Sequence, residues 1–152
     1  MLFRSIPPDR LEWTWKAGRF TNGDLVRHLA GIERWMYAEN VQGRPSRYPG
    51  HGEELAAGWP AVREYLERLH AEAMEIFRGL SDADLAGRCV TPGGAEIGVG
   101  KWLRLMVEHE IHHRGQIYLQ LSMLEVSTPP LFGLTSEEVR ARSLELEEKE
   151  QR

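Results

Sequence analysis

Residues Val99–Val126 read VGKWLRLMVEHEIHHRGQIYLQLSMLEV, and the fold turns on how this stretch is read. It contains no proline and only two glycines, Gly100 and Gly115. Nothing in it interrupts a helix, which at 1.5 Å per residue would be about 40 Å long. Stepping about 100° per residue from His109 brings Trp102, Met106, His113, Gln116, Ile117, Gln120 and Leu124 onto the same face. Two histidines therefore lie one turn apart inside an apolar stripe. Burying an imidazole is costly unless its nitrogens find partners. A pair at i and i+4 can chelate one metal ion, or each ring can bond a backbone carbonyl in a core or interface. These two residues alone leave both readings open.

Working toward the N-terminus, a second long helix opens at Thr21 and runs to about Val41. Thr21 stands as N-cap with Asp24 three residues on, and Phe20 and Leu25 occupy the two positions of a hydrophobic staple. Around His28 the wheel gathers Leu25, Ile32 and Trp35, so a third histidine shares an apolar face. The lead-in, residues 1–20, carries Pro7, Pro8 and Gly18 and is expected to be mostly irregular, with one helical turn at Pro8–Leu11. Arg44–Gly58 is a Pro- and Gly-rich loop with Tyr48 and His51, the latter expected to be solvated. A third helix is expected from Trp59 to about Gly79, with Pro60 in its first turn. Its Val62, Leu66, Leu69, Ala73, Ile76 and Leu80 follow the 4-3 spacing of a bundle seam, and His70 borders that seam. Ser81 with Asp84 repeats the cap pattern before a short turn. Gly87–Gly98 reads as a loop turning at Pro92-Gly93-Gly94. Beyond the His109 helix, Pro129-Pro130 stops the chain. Thr135 and Glu138 form a capping box for a last helix to about Lys149. Residues 135–152 have a thin apolar face, expected to dock on an edge and fray. The fold class expected is all-α, with residues 1–152 as one domain.

Composition narrows the function. The 152 residues hold 23 acidic against 19 Lys and Arg side chains, with no basic block to follow a nucleic-acid backbone. No apolar run approaches the roughly 20 residues of a membrane span, and MLFRSIPPDR lacks a signal-peptide core. The single cysteine, Cys89, excludes an internal disulfide framework and suits a reducing compartment. A cytoplasmic protein with a small-molecule partner, touching neither nucleic acid nor membrane, is the expectation.

If the two histidine helices face one another, His28 can meet His109 and His113 across the core. Three neutral imidazoles leave one or more positions open on a divalent ion, and no cysteine is spare to close the site as structural zinc would require. An open site points to catalysis or substrate binding, with water or a thiol at the ion. Gln116, one turn below His113 on the same face, is the candidate to orient an imidazole or a bound water, or else a buried amide bonded to a neighbouring helix. Glu110 lies off that face and reads as a surface carboxylate, and His112 is about 60° away. His109-Glu110-Ile111-His112-His113 also satisfies the zinc-protease pattern H-E-x-x-H. The extended form fails, because its Gly and third His positions hold Gln116 and Leu119. Glu125, the only acidic residue among the twenty after His113, lies about three turns further along the same rod. A protease is therefore rejected.

His28-Leu29 within LVRHLAGIERW, together with H-E-I-H-H-R-G-Q, resembles the DinB-like family, also called YfiT-like, a DNA-damage-inducible metal-binding family unrelated to the polymerase of that name. The resemblance runs from about Ile6 to Leu131. It implies a four-helix bundle holding one divalent metal, commonly zinc or nickel, on His28, His109 and His113. Some members are thiol-dependent transferases or isomerases using a low-molecular-weight thiol. The function expected here is a metal-dependent enzyme that activates a small thiol or water, as a thiol-dependent transferase or a hydrolase, and the alternative is a catalytically silent metal-binding module of a stress response. One departure stands out. Relatives carry a full helix before the segment that starts here at Ile6, so the leading helix is missing or replaced. Three explanations are open: a truncated or misassigned start, a partner subunit supplying the missing packing, or the C-terminal helix filling the gap; a homodimer is expected.

Overall fold

The computed structural model describes residues 2–131 and 133–150. Three long helices carry the core. The first, α1 (Asn22–Ile32), begins at the expected box: the Thr21 hydroxyl accepts from the Asp24 N–H at 2.9 Å and the Asp24 carboxylate accepts from the Thr21 N–H at 3.0 Å. It runs on without a break through a π-helical turn, Glu33–Tyr37, into α2 (Ala38–Val41). At that turn the Ala38 N–H reaches back to Glu33 O, one residue further than in an α-helix. α1 is the central element. Every residue in it except Asp24 is buried, because it packs against both α3 (Gly58–Arg78) and α5 (Val99–Met123).

α3 follows its predicted seam: Val62, Leu69 and Ala73 are fully buried, with Leu66 and Ile76 half-buried. A short α4 (Asp82–Ala86) is capped by Ser81 as expected. The loop expected over Gly87–Gly98 is instead a small antiparallel hairpin, β1 (Arg88–Val90) with β2 (Glu96–Gly98), in the register Cys89↔Ile97. Thr91-Pro92-Gly93-Gly94 closes it. Gly94 takes φ 82° and donates its N–H to Thr91 O at 2.9 Å, a backbone region open to glycine at little cost. The hairpin turns Cys89 inward, where it packs with Leu29, Ile32, Tyr37, Val99 and Trp102.

The lead-in is irregular as expected, with 3₁₀ turns at Leu2–Ser5 and Pro8–Arg10. Its role in the core was not legible: Leu2, Ile6 and Leu11 are buried against Leu25, Val26, Val62, Ile117 and Leu121. Among the described residues no long helix precedes α1, and a groove of about 500 Å³ runs between α3 and α5 with Leu2, Phe3, Leu66 and Met106 in its walls. The C-terminal helix α6 (Ser136–Glu150) does not supply a cover for it. Instead of docking on an edge, α6 is exposed along residues 136–147. Its apolar side chains do not gather on one broad face: Val139 and Leu146 stand about 20° apart, and Leu144 lies about 140° around the axis from Val139. No helix of the described residues is long and apolar enough to cross a membrane.

Candidate metal centre

The packing of α1 on α5 brings His28 against His109 and His113. The ring centroids are 4.5 Å apart for His28–His113, 5.4 Å for His28–His109 and 4.6 Å for His109–His113. One nitrogen from each ring falls within 4.8 Å of the others. Two details of the cluster concern its inner nitrogens. His109 Nε2 and His113 Nε2 are 2.8 Å apart, and two imidazole lone pairs at that distance repel unless a proton or a cation lies between them. His28 Nε2 is buried and has no hydrogen-bond partner in the structure. An orphaned buried nitrogen is costly, and here it is one of three that a single cation would satisfy.

The outer nitrogens are all spoken for. His28 Nδ1 lies 2.8 Å from the Tyr48 hydroxyl, His113 Nδ1 lies 2.8 Å from Gln116 Oε1, and His109 Nδ1 lies 3.4 Å from the Tyr37 hydroxyl. Gln116 Oε1 can only accept, so His113 carries its proton on Nδ1 and presents Nε2 as a lone pair. An outer partner of this kind fixes tautomer and ring direction in metal-ligating histidines. The π-helical turn explains how Tyr37 joins. Nine residues of regular α-helix would put it about 180° from His28; the widened turn sets back the rotation, and Tyr37 comes to rest on Trp102, with ring centroids 4.5 Å apart.

Burial is the main electrostatic influence. It pushes His28 down to about 3, with His113, His109 and His51 adding to the effect in that order. His109 is lowered by burial and then by His113 and His112. His113 is lowered by burial, opposed by its bond to Gln116 and reinforced by His112. All three are therefore neutral at pH 7, the form in which imidazole ligates. Tyr48 is pushed up to about 12, mainly by burial and then by Asp24 and Tyr65, so it keeps its proton and remains a donor. The donor set and the orphaned His28 Nε2 fit a divalent cation.

The remaining expected residues separate clearly. Gln116 meets His113. Glu110 is exposed and lies 3.5 Å from Arg114. His112 is exposed and lies 3.2 Å from Gln116 Nε2, which can donate to it. His70 is exposed and pairs with Glu33 at 3.0 Å. Cys89 is buried and its thiol is pushed up by that burial, the opposite of a reactive thiolate. His51 is not the solvated loop residue expected: it is half-buried, its ring lies tilted against Phe20 with centroids 4.3 Å apart, and its Nδ1 lies 2.7 Å from the Tyr48 hydroxyl. Tyr37 and Tyr48 were not singled out from the sequence. A tyrosine and a histidine three residues apart in a Pro- and Gly-rich loop was the available hint for the latter.

The sequence pattern that defines the DinB superfamily matches residues 1–117. Solved structures of DinB-like proteins share the fold. A DinB-like protein, YjoA, from Bacillus subtilis superposes with a TM-score of 0.69 at 18% identity, covering 86% of this chain and 87% of that one. A DinB-like protein from Bacillus cereus ATCC 10987 gives 0.63 at 16% identity, covering 86% of this chain and 85% of that one. No match was found among curated proteins.

Proposed function

The chain belongs to the DinB superfamily, and from that premise we propose that it holds one divalent ion, zinc or nickel, on His28, His109 and His113 and acts on a small-molecule substrate as a thiol-dependent transferase or a hydrolase. The observation that carries this reading is the buried, unpartnered His28 Nε2 beside the close His109–His113 nitrogen pair. A divalent ion supplies Lewis acidity, lowering the pKa of a low-molecular-weight thiol or a water bound to it.

The chain's own part follows from its geometry. Three neutral imidazoles offer Nε2 lone pairs, while Tyr48, Tyr37 and Gln116 hold the outer nitrogens. Phe20, 5.3 Å from His28 and 6.2 Å from His113 between ring centroids, shields both rings from water and keeps them in the neutral form. With the nucleophile supplied by a cofactor thiol, no protein nucleophile is required, which agrees with the buried, high-pKa Cys89.

Metal analysis of purified protein with and without His28→Ala tests the site. The variant should lose metal and thermal stability together, since an ion bound to the native state adds to stability. A thiol-transfer and hydrolysis assay over a broad electrophile panel tests the activity. Cys89→Ala should retain it and His113→Ala abolish it; the reverse would overturn the proposal. If metal-loaded protein turns over nothing, the chain is better read as a catalytically silent metal-binding module of a stress response.

The same reading includes a homodimer. The apolar groove between α3 and α5 and the exposed Val107, Ile111 and Leu119 on α5 support an interface of this kind. Light scattering should give twice the 17.4 kDa chain mass at micromolar concentration; a clean monomer would refute it.

A further inference from the structure

We propose that Tyr48 and His51 form a hydrogen-bonded positioning arm that holds His28 in the tautomer and direction needed to complete the three-histidine centre. The inference rests on the metal reading above but concerns a loop that reading did not use. From His28 Nδ1 the chain of contacts runs 2.8 Å to the Tyr48 hydroxyl and then 2.7 Å to His51 Nδ1. A hydroxyl donates once, and its oxygen can accept at the same time. If the Tyr48 hydroxyl donates to His51 Nδ1, the Tyr48 oxygen is left to accept from His28 Nδ1–H. That arrangement leaves the lone pair of His28 on Nε2, the buried and unpartnered atom beside His109 and His113.

The loop is built to put this pair in place. Arg47 N–H donates to Trp35 O at 2.7 Å. The fully buried Arg27 donates to Ala56 O at 2.8 Å and to His51 O at 3.4 Å. Pro49 lies so close to α1 that a Cβ on Gly31 would come within 3.4 Å of its ring, and Gly31 is one turn after His28 on the same helix. The ring of His51 rests on Phe20 at 4.3 Å, and Phe20 in turn faces His28. Arg27, His28 and Gly31 thus meet successive parts of one loop. Tyr48 is seated opposite His28 by contacts that do not involve the ring itself. Without the hydroxyl, His28 is free to carry its proton on Nε2, where it would point into the centre and remove a ligand.

The test uses full-length protein and cobalt(II) as the probe, with affinity read by competition against a chromophoric chelator and the ligand set read from the visible absorption of bound cobalt. Removal of an outer partner of a ligating histidine typically costs 10–100-fold in metal affinity. Tyr48→Phe should therefore weaken cobalt binding at least about tenfold and alter its visible spectrum. His51→Ala should shift both in the same direction, and His51→Asn should restore them, because an amide oxygen can accept from the Tyr48 hydroxyl. The thermal midpoint of the metal-free Tyr48→Phe protein should fall by no more than about 2–4 °C, the cost of one lost hydrogen bond, since the arm acts on the ligand and not on the core. Cobalt binding by Tyr48→Phe within about threefold of the parent, while His28→Ala loses cobalt, would overturn the arm and leave the centre standing. So would a metal-free Tyr48→Phe that is destabilised enough to explain the whole loss. Retention of parental cobalt affinity by His28→Ala would overturn the three-histidine centre itself.

Discussion

Replacing Arg27 by methionine should cost the fold about 3 kcal/mol. The Arg27 side chain is fully buried, and it forms a close ion pair with Glu12 and a second with Asp24 at 3.2 Å. It also donates to the carbonyls of Ala56 and His51. Methionine fills much of the same space and supplies no donor, so two carboxylates and two carbonyls lose their partner at once. Removing one member of a buried pair typically costs about 3–5 kcal/mol. Glu12 retains 31% exposure and Asp24 17%, so both recover some solvation, which places the loss near the lower end. The Asp24 carboxylate also still accepts from the Thr21 N–H of the capping box. For a chain of this length each kcal/mol moves the thermal midpoint by about 2–4 °C, giving a fall of roughly 6–12 °C. Urea denaturation followed by circular dichroism, with the slope checked for constancy, measures the free energy directly. Adding Glu12→Gln to Arg27→Met should recover part of the loss, because one of the stranded charges is then gone. A loss below about 1 kcal/mol with an unchanged slope would refute the claim that this buried guanidinium ties the lead-in and the Tyr48 loop to α1.

Gln116→Leu should weaken cobalt affinity by about 10–100-fold with little effect on helix α5, because it removes the acceptor for His113 Nδ1–H; chelator competition measures it, and parental affinity would show that Gln116 does not orient the ring. The metal-free protein should lose stability as the pH falls below about 6.5. His28, His109 and His113 have folded pKa values below the ordinary histidine value. The unfolded chain therefore binds protons first, and stability declines through a window that for His28 reaches down to about 3. Urea midpoints between pH 7 and 5 should fall more steeply for the parent than for His28→Gln, by at most about 1.4 kcal/mol per pH unit for that one residue; equal slopes would show that His28 titrates normally.

The long elements and the candidate ligands are written in local residue spacing. The Val99 helix, the Thr21 and Ser81 capping boxes and the 4-3 seam of α3 are all local, set by residue spacing and by side chains that satisfy helix ends within a few positions. His28, His109 and His113 were legible for the same reason, since a 3.6-residue period assigns each to an apolar face without knowledge of its partner. The small hairpin at Arg88–Gly98 was not legible: three-residue strands carry too little alternation to outweigh their Pro-Gly-Gly turn. Leu2, Ile6 and Leu11 entered the core from an aperiodic segment, where spacing says nothing about direction. The outer contacts of the centre were decided by tertiary structure alone. Tyr37 reaches the site through an inserted residue in a helix whose sequence reads as regular. Tyr48 and His51 reach it because Arg27, Gly31 and Trp35 clamp a loop across this helix, and contacts between residues a dozen or more apart leave no periodic trace in the chain.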